Sequence, residues 1–113
     1  MTHVLVVAPG STFRNSLRFA LEAEGYEVTA TASLQAAVRP PSGFACSVID
    51  HHAFDDVGAE SRSLLAAVAP VVLLANSPVH PLAAVSFRTI TKPTLGPALS
   101  EAVRAAVAAR GAT

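Results

Sequence analysis

One aspartate in this chain stands where chemistry could be done. In Phe44-Ala45-Cys46-Ser47-Val48-Ile49-Asp50 a small and apolar run stops abruptly on a carboxylate, and a polar, acidic loop follows as far as Gly58. Such a run reads as a central parallel strand buried on both faces. Asp50 then lies at a strand's carboxyl end, the rim where open α/β sheets bind ligands and gather groups from several loops. Its carboxylate can also simply close its own loop by accepting backbone N–H bonds. Three histidines map to loops on the same rim: His51, His52 and His80. Imidazoles gathered beside a carboxylate suit a transition metal, although surface loops also carry histidines without one. Pro9-Gly10-Ser11-Thr12, ahead of a helix, could turn N–H groups toward an anion, but it lacks the glycine spacing and lysine of a P-loop.

The elements that must position these groups can be followed along the chain. His3 to Ala8 is an apolar strand cut off by Pro9-Gly10. Ser11 or Thr12 is expected to cap the helix that follows. In that helix Phe13, Leu17, Ala20, Leu21 and Glu24 share one face, and Arg14, Arg18 and Glu22 the opposite one. Gly25 ends it. Tyr26 to Thr31 alternates as a second strand, Ser33 caps a short helix through Val38, and Pro40-Pro41-Ser42-Gly43 turns into the Asp50 strand. Glu60 to Ala69 reads as a third helix, and Pro70 opens the strand Val71 to Ala75. After the loop 76–81 comes a brief helical piece, Leu82 to Val85, then a fifth strand, Phe87 to Thr91, closed by Lys92-Pro93. The last helix, from about Leu95 to Arg110, turns Leu99, Ala102, Val103, Ala106 and Val107 toward the core. Strict alternation of strand and helix predicts a doubly wound parallel sheet with right-handed crossovers.

Composition narrows the function. The 113 residues make room for one compact domain, spanning 1–113, without metals or disulfides to staple it. Eight Lys+Arg balance eight Asp+Glu, and only 14% of residues are charged. Direct nucleic-acid binding and attraction to anionic membrane are therefore not expected. The single cysteine, Cys46, lies in the apolar run, which fits core filling in a reducing cytoplasm. The longest apolar runs are strand-sized, and Met1 leads straight into one, so neither a signal peptide nor a membrane span is expected.

The order of elements, Asp50 at the end of strand three with Gly58 eight residues on, Pro70 opening strand four and Lys92-Pro93 after strand five together resemble the receiver domain of two-component response regulators. The resemblance runs the length of the chain. It implies a flavodoxin-like fold in which the Asp at the place of Asp50 accepts a phosphoryl group from a histidine kinase and the Lys at the place of Lys92 reaches toward it. The chemistry is intelligible: a carboxylate is a weak nucleophile toward phosphorus, so Mg²⁺ held by several carboxylates must neutralise the incoming oxygens, and a lysine adds charge to the developing anion. Lys92 can equally form a structural ion pair with Asp50, and Lys92-Pro93 ends a strand in its own right.

The remaining parts of that machinery are not present in the sequence. Where receivers place an acidic metal-binding pair after strand one, this chain has Ala8 and Pro9; the hydroxyl position ending strand four is Ala75, and the switch aromatic of strand five is Thr89. Asp55 and Asp56 read as solvated turn residues and not as replacements. Only sixteen residues, two of them prolines, separate Ala75 from Lys92, so the fourth helix should be shortened. The expectation is a receiver-like domain of two-component signalling, or pseudo-receiver, that acts by contact with a protein partner, a histidine kinase or an output protein, without cofactor. Two alternatives stay open: a receiver still phosphorylated on Asp50, and a small-ligand or transition-metal module at Asp50, His51, His52 and His80. An enzyme is not expected, since no nucleophile–base pair or nucleotide loop is visible. Phe19, on the solvent side of the first helix, and the smooth outer surface at Ala105, Ala108 and Ala109 are candidate contacts with a partner or a second copy, as in a homodimer.

Overall fold

In strand β1 (His3–Val7) the side chains alternate between two cores, as the two-residue period of a strand requires. Val4 and Val6, followed by Ala8, enter one core, and Leu5 and Val7 enter the other. The computed structural model describes residues 2–33, 44–53, 63, 70–76, 80, 82, 86–92 and 97–111. They form a five-stranded, all-parallel sheet in the order β2-β1-β3-β4-β5, with β2 at Glu27–Thr31, β3 at Cys46–Asp50, β4 at Val71–Ala75 and β5 at Arg88–Thr91. This is the doubly wound, flavodoxin-like arrangement expected. β3 and β4 are buried along their whole length, which is why the sequence shows continuous apolar runs there and not alternation.

Helices α1 (Ser11–Ala23) and α2 (Ala98–Gly111) cover one face of the sheet. Leu17 and Leu21 from α1, and Leu99, Ala102, Val103 and Ala106 from α2, meet Val4, Val6, Cys46, Val48, Val72 and Leu74. Burying each leucine there is worth about 1.5–3 kcal/mol. Val107 packs at the edge of this core. On the other face Leu5, Val7, Phe44, Ile49, Leu73 and Ala75 close around the buried Leu82.

Several expectations need correction. No side chain caps α1: Gly10 precedes it in extended backbone and Ser11 is already helical, so neither Ser11 nor Thr12 plays that part. Ala20 is exposed, because the stripe facing the sheet is narrow and centred on Leu17 and Leu21. Asp50 does end β3, as expected. Gly25 does end α1, in a left-handed conformation (φ 95°) that glycine adopts without strain. Phe19 is 71% exposed, and Ala108 is exposed with Ala105 and Ala109 half-buried. The expected helix after Ser33, the turn at Pro40–Gly43, the loop holding Asp55, Asp56 and Gly58, and the shortened fourth helix fall outside the described residues, apart from Leu82 in a turn. Of the third helix only Ser63, which is helical, is described. Among the described residues no helix is long and apolar enough to cross a membrane.

Candidate functional site

Register brings the site together. Val7 of β1 lies beside Ile49 of β3, so the next residues, Ala8 and Asp50, are neighbours at the carboxyl rim. Asp50 pairs with Leu74 of β4, and Ala75 pairs with Thr91 of β5. Lys92 then leaves β5 with its backbone N–H bonded to the Ala75 carbonyl at 2.8 Å, which fixes where its side chain starts.

From that anchor the Lys92 Nζ donates to Asp50 Oδ1 at 2.7 Å. The same oxygen accepts the His52 backbone N–H at 3.1 Å and lies 3.2 Å from His52 Nδ1. Lys92 Nζ is also 3.4 Å from His52 Nδ1 and 4.9 Å from the centre of the Phe13 ring, whose face attracts the ammonium. Asp50 thus both accepts a backbone N–H in its own loop and forms an ion pair. Its side chain is 6% exposed and that of Lys92 20%. Burial alone pushes the Asp50 carboxyl up; the hydrogen bonds from Lys92 and from the His52 N–H, with the charges of both residues, outweigh it and hold the pKa below the ordinary value.

The end of β1 is built differently. Ala8 is fully buried, Pro9 follows it, and the Arg14 guanidinium, reaching back from the first turn of α1, donates to the Ala8 carbonyl at 2.8 Å and the Pro9 carbonyl at 3.3 Å. Magnesium needs several oxygen ligands, with carboxylates prominent among them. These residues do not fit it: of the rim positions at Ala8, Pro9, Asp50 and Ala75, only Asp50 carries a carboxylate, already paired with Lys92, and the carbonyls beside it are engaged by a cationic side chain. Ala75, fully buried, brings no hydroxyl to the rim, and Thr89 lies half-buried on β5, beside Leu73.

The histidines gather beside Asp50. His51 and His52 open a single 3₁₀ turn, His51–Ala53, directly after β3. Their rings lie 4.1 Å apart between centroids, and the His80 ring meets that of His51 edge-on at 5.3 Å. His51 Nε2 is buried with no hydrogen-bond partner among the described residues. Burial first, then repulsion from His52 and Lys92, lowers the His51 pKa and favours its neutral ring. His80 Nδ1 accepts the Leu82 backbone N–H at 3.1 Å. Cys46 is buried in the core, where burial pushes its thiol up to about 12, as suits core filling.

Sequence reasoning missed Arg14 and the part played by Phe13. Arg14 read as a solvent-facing residue because its partners are backbone carbonyls, which leave no trace in residue types. Phe13 was legible as an apolar residue of α1, yet its contact with Lys92 joins positions far apart in the chain.

No protein-family model and no curated protein matches the sequence. Solved structures do match in shape. A response regulator receiver domain protein from Clostridium thermocellum superposes with a TM-score of 0.77 at 19% identity, covering 98% of each chain. The response regulator TrrA from Thermotoga maritima, solved in complex with Mg²⁺ and BeF, gives 0.78 at 18% identity over 94% of this chain and 99% of its own. The receiver domain of a sensor histidine kinase from Pseudomonas aeruginosa, with a magnesium ion coordinated in its active site cleft, gives 0.79 at 18% identity over 95% and 98%. The chain has the fold of response regulator receiver domains.

Proposed function

We propose that this chain is a pseudo-receiver: a domain of two-component signal transduction in the cytoplasm that presents a constant surface to a protein partner and does not carry out Mg²⁺-dependent phosphoryl transfer. The observation that carries this reading is the closed rim. Lys92 is committed to Asp50 at 2.7 Å, while the end of β1 offers Ala8 and Pro9, with Arg14 on their carbonyls. A phosphoryl group arriving at Asp50 would need cationic stabilisation from Mg²⁺ that no carboxylate of β1 can recruit, and Lys92 would have to leave its own partner to help. Each lost contact of this charged kind is worth about 2.7–4 kcal/mol, and every 1.36 kcal/mol is a factor of about ten in rate.

A rim held in one state suits a domain that contacts its partner constitutively. Among the described residues Phe19, 71% exposed on α1, is the large apolar side chain most available for that contact. The partner is a histidine kinase or an output protein; the domain itself is not an enzyme. The test is to add beryllofluoride and Mg²⁺ and follow backbone amide shifts. Unchanged spectra are expected. Shifts spreading from Asp50 into β4 and β5 would instead support a receiver that is still phosphorylated and still switches.

A further inference from the structure

We propose that Asp50, His51 and His52 form a binding site for a borderline divalent transition metal of the Zn²⁺ class. One ligand atom from each residue, a carboxylate oxygen and two imidazole nitrogens, lies within 4.8 Å of the others. Around a single Zn²⁺, with bonds of about 2.0–2.2 Å, such donors stand roughly 3.3–3.5 Å apart. Closing the difference takes side-chain movements of up to about 1.5 Å at the junction of β3 and the 3₁₀ turn.

Three features favour the metal over chance proximity. First, His51 Nε2 is out of water and has no partner among the described residues, a state that a lone-pair acceptor such as a metal relieves. Second, His52 Nδ1 lies 3.2 Å from Asp50 Oδ1, so an imidazole nitrogen and a carboxylate oxygen already stand at about the spacing of two ligands on one Zn²⁺. Third, the contacts on Asp50 from Lys92 and His52 all fall on Oδ1, so Oδ2 is the oxygen without a contact among the described residues. Imidazole donors select Zn²⁺, Ni²⁺ or Cu²⁺ over Mg²⁺. His80 is not assigned as a ligand: its Nδ1 accepts the Leu82 N–H, so its neutral ring carries the proton on Nε2 and packs against His51. Lys92 Nζ, 3.4 Å from His52 Nδ1, opposes a second cation and limits the affinity.

The inference is independent of the pseudo-receiver reading, because Zn²⁺ uptake and phosphoryl transfer can each succeed or fail without the other. The experiment is isothermal titration of the whole chain with ZnCl₂ in excess Mg²⁺, with native mass spectrometry for stoichiometry. One Zn²⁺ per chain is expected, undisturbed by Mg²⁺. His52→Gln, at an exposed ring, should keep the fold by circular dichroism and weaken binding about tenfold or more. His51→Gln should do the same, and Lys92→Met should tighten binding. His3→Gln should change nothing, since His3 bonds Thr29 Oγ1 at the start of β1. Absence of Zn²⁺ uptake, or uptake that persists unchanged in both His51→Gln and His52→Gln, overturns the site.

Discussion

Lys92→Met keeps most of the apolar stem of the side chain and removes its ammonium, leaving the Asp50 carboxylate with the His52 backbone N–H at 3.1 Å and the His52 ring. Breaking a buried ion pair by deleting one partner costs about 3–5 kcal/mol. Here Lys92 is 20% exposed and Asp50 keeps one backbone donor, so we expect a loss of about 2–3 kcal/mol at pH 7. A domain of this length loses about 4 °C of Tm per kcal/mol, so the transition should fall by about 8–12 °C. Because contacts hold the Asp50 pKa below its ordinary value, its contribution is present above the unfolded pKa of about 3.9 and is lost as pH falls through the folded value. The gap between wild type and Lys92→Met should therefore shrink below about pH 4. The assay is urea denaturation of wild type, Lys92→Met, Asp50→Asn and the double variant, which isolates the coupling between the two groups. A Lys92→Met effect under about 0.5 kcal/mol at pH 7, or a cycle with no coupling, would show that the pair does not hold the rim.

Two other outcomes follow from the core and its surface. Leu21→Ala, which empties a position 1% exposed between α1 and the sheet, should cost about 2–5 kcal/mol, whereas Phe19→Ser should stay within about 0.5 kcal/mol and instead weaken capture of the partner; denaturation and pull-downs separate the two. Cys46, fully buried and with its thiol pushed up to about 12, should react with iodoacetamide at pH 8 far more slowly in the folded chain than in denaturant, and equal rates would mean that the β3 core opens readily.

Much of the fold was legible because it is written in periodicity. The apolar run from Phe44 to Ile49 and its stop at Asp50 located the central strand and the rim, and Gly25 and Lys92 marked real ends. Residues in contact through their own side-chain chemistry, Asp50 with Lys92 and His51 with His80, were readable as rim residues from their loop positions. What was not legible depends on backbone atoms or on conformation. Arg14 bonds two carbonyls, Gly10 rather than Ser11 precedes α1, and the tie from the Lys92 N–H to the Ala75 carbonyl exists only once β4 and β5 pair. Ala20 was misplaced because a helical wheel gives a face but not its width.

The claim that the rim is closed to phosphoryl transfer meets its most direct test in intact mass spectrometry after incubation with acetyl phosphate and Mg²⁺, with Asp50→Ala treated in parallel. The expected result is an unchanged mass for both proteins, because Ala8 and Pro9 recruit no cation and Lys92 remains on Asp50 at 2.7 Å. One phosphoryl group per chain, present in the wild type and lost in Asp50→Ala, would contradict it.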